Sequence, residues 1–419
     1  MEKIIEKHDA IKRRPKVASR LLFLTGLYPM DRLEEIRADS IGGLDNAANA
    51  LQWKYVKGFD ALGLDQTIIN APYVGSYPRR YRKMWFRSQK FSHNTKANDY
   101  SVGFCNLGVI KKIHRMMRMQ AELRRQLRSD VDTPCIVAAY AMTGSNLSLL
   151  RTAKQQRPSI KTMLIVPDLP EFMNTSNSSG AIYTFFKKIE MFYIRLNFRF
   201  VDRFVLLTEA MSELYDFKDR YVVSEGIANE SQYTVIPDSN MFTIAYTGTL
   251  NERYGIRDLL DGFMLTEIEG AKLIICGDGD SKGYVEECAL SDKRIIYRGA
   301  TLPDEALEIQ RQSDVLINPR MNNEEFVKYS FPSKILEYMS AGRVVLSYKL
   351  SSFTDKYDKY LDYIQGPTAN PAENIARAIN DIYTMPKAER IKRGRNNYLF
   401  TQKNLSAKSV TKRIIKGLM

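Results

Sequence analysis

The feature that most constrains this chain is an alternation of short β-rich runs with amphipathic helical stretches, repeated in two series along 419 residues. The first series places strand patterns at 20–25, 66–69, 135–139, 162–166 and 203–207. Between them Ala48, Leu51, Tyr55, Phe59 and Leu62 recur at helical spacing, as do Ile110, Ile113, Met117 and Leu123. The second series has strand patterns at 242–247, 271–276, 294–297, 314–317 and 344–347, with helical patterns at 256–265, 304–312, 333–341 and 372–383. Such alternation implies parallel sheets covered by helices. Residues 174–180 (NTSNSSG) read as a polar loop and 224–240 (SEGIANESQYTVIPDSN) as a linker. The chain therefore reads as α/β with two Rossmann-like domains, 1–225 and 242–386, joined by a linker at 226–241. Pro386 interrupts, and a basic helical tail follows at 387–419.

Composition narrows the class. Apolar residues make 44% and charged residues 26%, values of a globular protein. No run of 18 apolar residues exists, which excludes a bilayer-spanning helix, and the first residues have no apolar core of a signal peptide. Four cysteines without a CxxC pair and three histidines argue against a zinc site or a disulfide framework, so a cytoplasmic location is expected. The net charge of +14 is uneven. Residues 1–200 carry 33 Lys/Arg against 17 Asp/Glu, residues 201–386 carry 19 against 30, and residues 387–419 carry 10 against 1. The stretch 79–128 alone has 14 basic and 2 acidic residues. Charge of this kind suits a polyanionic partner. No nucleic-acid-binding motif accompanies it, so nucleic acid is not expected, and an anionic membrane surface fits better. Trp85 and Phe86 are the apolar residues expected to enter such an interface, and the tail is expected to lie on the same domain as 79–128.

In open α/β sheets ligands bind just beyond the carboxyl ends of strands, so the loops there carry the chemistry. After 242–247 come Gly248, Thr249 and Arg253, a turn that lets an anion approach backbone and guanidinium. After 271–276 comes GDGDSKG, which misses the dinucleotide fingerprint; its Asp278 and Asp280 match a DxD pattern for a divalent cation, or an ordinary polar turn. After 314–317 come Arg320 and then Tyr329-Ser330-Phe331-Pro332-Ser333-Lys334, opening a helix that carries Glu337. Ser330, Ser333 and Lys334 surround a helix start that attracts phosphate, and Glu337 one turn on is placed to accept ribose hydroxyls. The bland alternative for Lys334 and Glu337 is a surface i,i+3 ion pair.

YSFPSKILEYMSAG after DVLINPR, with FTIAYTGTL…YGIRDLL and LIICGDGD before it, resembles the C-terminal domain of the GT-B glycosyltransferases of family 4. The Gly42-Gly43 pair before a helix, Val166-Pro167-Asp168-Leu169-Pro170 after a strand, and Leu207-Thr208-Glu209 are compatible with it, and the bacterial capsular and exopolysaccharide members look most alike. The resemblance implies two domains facing across a cleft, with the last helix crossing back to the first domain. It implies a nucleotide sugar on the C-terminal domain, a saccharide or lipid-linked acceptor on the N-terminal one, and transfer with retained anomeric configuration without a metal or other cofactor. By that resemblance Asp168, Arg253 and Lys334 are expected to be catalytic. Gly248, Thr249, Arg320, Tyr329, Ser330, Ser333 and Glu337 are expected to hold the donor, and Gly42 and Gly43 to face the acceptor. The sequence also departs from the family pattern. Tyr329 stands where the first glutamate of Glu-x7-Glu belongs, the usual Arg and Lys fall on Thr249 and Tyr254, and the usual His-Asp reads Pro167-Asp168. Sugar binding must then differ, and Arg253, Arg320, Lys328 or Lys334 must supply the missing charge. The expected activity is surface-polysaccharide synthesis by a cytoplasmic enzyme peripheral to the inner membrane face. The rivals are a silent GT-B subunit that stabilises a partner and a metal-dependent transferase using Asp278 and Asp280.

Overall fold

A computed structural model describes residues 19–129, 132–171, 181–235, 241–366 and 369–418. The polar segment 174–180, and 236–240 of the expected linker, lie outside the described residues. The chain divides into two compact units, the first built from residues up to 165 with 181–203 and 415–418, the second from 166–171 and 204–414.

The first unit contains β1 (Arg20–Thr25), β2 (Asp65–Asn70), β3 (Trp85–Phe86), β4 (Gln89–Phe91), β5 (Asp99–Ser101), β6 (Phe104–Cys105), β7 (Cys135–Tyr140) and β8 (Lys161–Val166). Its strands follow the order β8-β7-β1-β2-β5-β4. All these pairings are parallel except β4 with β5, and β3 with β6 forms a separate antiparallel ribbon. Every residue of β1 and β7 is buried, as expected of parallel strands covered on both faces. Strand order reverses between β1 and β7, which makes the ends of these two strands the switch point of the sheet. Helix Asn46–Asp60 starts at Asp45, whose Oδ1 accepts from the Ala48 N–H at 3.1 Å. The 22-residue helix Gly108–Ser129 packs on helix Gly144–Gln156 and on β6. Trp85 is exposed, but Phe86 is buried and stacks on Phe104 with centroids 4.7 Å apart, so Phe86 is a core residue of the ribbon rather than an interfacial one.

In the second unit β9 (Arg203–Leu206) and β10 (Tyr221–Val223) pair in parallel. The main sheet has β11 (Phe242–Thr247), β12 (Ala271–Cys276), β13 (Ile295–Tyr297), β14 (Val315–Asn318), β15 (Val344–Ser347) and β16 (Asp362–Tyr363), in the order β13-β12-β11-β14-β15-β16. All pairings are parallel. This is the doubly wound order, with its switch point between β11 and β14. One face is covered by helices Ile256–Met264 and Pro371–Thr384, through Leu259, Phe263, Ile375 and Ile379. The other is covered by helix Ser333–Ser340, through Ile335, Leu336 and Met339. The basic helix Lys387–Asn404 packs against β15 and helix Ser333–Ser340. Its Asn397 donates to the Arg343 carbonyl at 2.9 Å, and Tyr398 meets Tyr233, so this helix carries its charge on the second unit; only 415–418 group with the first.

Candidate active site

The loops beyond β11, β12 and β14 are drawn together by two glycines. Gly277 (φ +144°) lies where a Cβ would strike the Gly248 carbonyl, and Gly255 (φ +77°) where one would strike the Pro319 carbonyl. Neither place nor backbone angle admits a side chain. The glycine-rich turn after β12 is thus a packing device. Asp280 reinforces it, accepting from the Asn251 side chain at 2.9 Å, the Glu252 N–H at 3.0 Å and the Ser281 hydroxyl at 3.2 Å. Asp278 accepts from the Gly279 N–H at 3.0 Å. Among the described residues no three His, Cys, Asp or Glu side chains gather as a metal site.

Pro319 carries Arg320 into the switch point. Arg320 is only 6% exposed, and its Nε and one Nη find no hydrogen-bond partner among the described residues. Its guanidinium lies 4.8 Å from the Phe326 ring centroid and 5.5 Å from that of Tyr254. Burial lowers its proton affinity from the ordinary arginine value; Tyr254 and Glu324 oppose that, and Arg253 adds to it. Arg253 is half-exposed, pairs with Glu324 at 3.3 Å and lies over the same Phe326 ring at 5.5 Å. Next to Arg320 is Tyr246, whose hydroxyl donates to the Thr249 carbonyl at 2.8 Å and whose burial raises its pKa well above the usual phenol value, keeping it protonated. Gly248 sits beside this hydroxyl and beside the Lys334 side chain.

Helix Ser333–Ser340 begins at Pro332 without a side-chain cap. Lys334 bonds both Glu337 oxygens, at 3.2 and 3.1 Å, and Gln310 donates to Glu337 at 2.6 Å and to Thr247 at 2.7 Å. Glu337 is therefore held in one place while its side chain keeps 21% exposure. The ion pair expected as the bland alternative is present, and it lies at the switch point. The structure thus brings Gly248, Thr249, Arg253, Arg320, Lys334 and Glu337 together. Ser330 is half-buried and Ser333 exposed at the same helix start. Tyr329 is 5% exposed, with the Lys328 ammonium 4.8 Å from its ring centroid, so its ring is buried. Asp168 is exposed just beyond β8, and Gly42 and Gly43 are exposed in the first unit.

Three supporting residues escaped the sequence reading: Tyr246, Gln310 and Tyr338. The Tyr338 hydroxyl accepts from the Thr247 N–H at 3.0 Å inside the core, 91 residues away in sequence. Tyr338→Phe leaves that N–H buried and unpaired, so unfolding free energy should fall by about 1–3 kcal/mol. Urea denaturation checks this, and an unchanged midpoint would contradict it.

Residues 241–385 match the family described as "Glycosyl transferases group 1". No curated protein matches the sequence. Among solved structures, sucrose-phosphate synthase from Thermosynechococcus elongatus is 13% identical with a TM-score of 0.62, covering 95% of this chain and 98% of its own. The catalytic domain of starch synthase IV from Arabidopsis thaliana, bound to ADP and acarbose, is 10% identical with a TM-score of 0.59, covering 96% and 98%. HepE from Anabaena, in complex with UDP and glucose, is 12% identical with a TM-score of 0.54, covering 96% and 99%. Residues 241–385 thus match glycosyl transferases group 1, and the chain as a whole has the fold of the GT-B glycosyltransferase structures it resembles.

Proposed function

We propose that the protein is a retaining glycosyltransferase that takes a nucleotide sugar at the switch point of its second unit and passes the sugar to a saccharide or lipid-linked acceptor in surface-polysaccharide synthesis. The observation that carries this reading is the buried, under-bonded guanidinium of Arg320 between β11 and β14. A buried cation with free donors is costly unless an anion comes to it. A diphosphate supplies that anion. In this reading Arg320, Arg253 and Lys334 stabilise the charge that develops as the diphosphate leaves, without a metal. Glu337 exchanges part of its bonding from Lys334 to the ribose hydroxyls. Ser330 and Ser333 donate to phosphate, and Gly248 and Thr249 line the wall opposite. Tyr329 shapes the floor under the sugar, and Asp168 and the Gly42-Gly43 loop serve the acceptor. Purified protein should hydrolyse at least one member of a nucleotide-sugar panel slowly in the presence of chelator. Silence with every donor would favour a non-catalytic subunit, and loss of turnover with chelator would favour a metal at Asp278 and Asp280.

The same reading places the protein at the cytoplasmic face of an anionic membrane. Ile110, Ile113 and Met117 form a stripe along helix Gly108–Ser129, and these three and Trp85 are each more than half exposed. Trp85 lies edge-on to His114 of that helix, and Arg87, Lys90, Lys112 and Arg118 are exposed around it. No helix among the described residues is long and apolar enough to cross a membrane. Apolar residues rimmed by cations suit interfacial docking, at about 1 kcal/mol per Lys or Arg near the surface. Vesicles containing phosphatidylglycerol should therefore bind the protein at low salt and release it at high salt, with Ile113→Glu weakening binding about tenfold. Binding that ignores both changes would remove this part of the reading.

A further inference from the structure

A second cluster of cations occupies the switch point of the first sheet. Tyr73 lies across it: its N–H donates to the Gly26 carbonyl just beyond β1 at 2.9 Å, and its hydroxyl donates to the Tyr140 carbonyl at the end of β7 at 2.9 Å. Its ring covers Gly26 so closely that no Cβ fits there. Arg115 lies over this ring, 4.4 Å from its centroid. One Arg115 Nη donates to the Ala71 carbonyl at 2.6 Å, while Nε is buried with no partner among the described residues. Lys111, one turn earlier on the same helix, donates to the Val74 carbonyl. The charges acting on Lys111 are those of Arg115 and of Arg80, from the loop beyond β2. Arg80 in turn accepts through its carbonyl from the Ile41 N–H at 3.1 Å, so the Gly42-Gly43 loop begins beside this cluster.

We propose that Lys111, Arg115 and Arg80 form a phosphoryl-binding subsite, and that the acceptor glycosylated by this protein carries a phosphate or diphosphate. The word acceptor rests on the transferase reading above; the anion site does not. Three like charges repel one another, and partial burial strengthens that repulsion. Lys111 and Arg115 each bond a backbone carbonyl, a neutral acceptor, which leaves donors free on an ammonium and a guanidinium. A single carboxylate would balance one of the three charges, whereas a phosphoryl dianion or a diphosphate balances two or more. The position agrees with this, because the switch point of an open α/β sheet is where such ligands sit. Burial, with the positive charges of Arg115 and Arg80, pulls Lys111 down to about 8. An anion favours the protonated form, so binding near pH 8 should take up a proton and weaken as pH rises further.

The test is calorimetry of the full chain with inorganic pyrophosphate, in an Arg320→Met background so that the second unit does not compete. Binding should persist there and fall at least tenfold when Lys111→Met is added, because a charge-assisted bond is lost. Arg80→Ala, at an exposed position, should cost about threefold and guards against misfolding of the first variant. Titration at pH 8 in two buffers of different ionisation enthalpy should show proton uptake that disappears with Lys111→Met. Farnesyl diphosphate separates the sources of the phosphoryl group. Affinity equal to that of pyrophosphate assigns a soluble phosphorylated acceptor, and affinity more than tenfold tighter assigns a lipid-linked one. No pyrophosphate binding, or binding indifferent to both substitutions, overturns the proposal. Donor hydrolysis by the unaltered protein is measured alongside. Hydrolysis without Lys111-dependent pyrophosphate binding sinks the subsite alone, and the reverse pattern sinks the transferase reading alone.

Discussion

Arg320→Met is expected to lower nucleotide-sugar turnover by about 10²–10³-fold, the scale of losing one preorganised donor to a developing anion. The guanidinium is buried, and its free Nε and Nη have no protein acceptor to satisfy them. In the unliganded protein that arrangement is a cost. Methionine fills similar space without a charge, so the thermal midpoint should stay level or rise. Stability and turnover therefore move in opposite directions, which separates the effect from simple unfolding. Unchanged turnover in a folded variant would remove Arg320 from the site. Exposed Arg253, already paired with Glu324, should show a smaller loss when replaced by methionine.

Glu337→Ala is expected to weaken nucleotide binding at least tenfold. Two charge-assisted hydrogen bonds to ribose are lost, each on a scale of ~1.5–3 kcal/mol. The substitution also releases Lys334 and Gln310, which converge on this carboxylate. Glu337→Gln keeps the shape and one acceptor, so it should lie between the wild type and the alanine variant. The fold should survive both, because the Glu337 side chain reaches solvent. Equal nucleotide affinity in the wild type and Glu337→Ala would show that this carboxylate serves only the Lys334 pair.

How far this was legible in the sequence depended on length and on distance along the chain. Strands β1, β7, β11 and β12 are six residues each and mostly buried, so their apolar runs stand out. β3, β4, β5 and β6 are two or three residues long, below any period, and the antiparallel pairs they form were not foreseen. Lys334 and Glu337 share one helical turn, so their pairing could be read from spacing. Gln310 and Tyr338 act on Thr247 from 63 and 91 residues away, and no local pattern encodes that. The charge of 79–128 was visible, but its division was not. Helical spacing separates Ile110, Ile113 and Met117, which face outward, from Lys111 and Arg115, which bond the loop beyond β2. Phe86 shares its apolar character with Trp85, but adjacent strand residues point to opposite faces, and only the structure says which face is covered.

The central claim, that the second unit's cations and carboxylate drive retaining transfer from a nucleotide sugar without a metal, meets its most direct test in proton NMR of the first product formed. The reaction is run with chelator present and the donor that the hydrolysis screen identifies, and the anomeric signal is read before mutarotation. The account predicts that the product keeps the donor's anomeric configuration. An initial product of inverted configuration would contradict it.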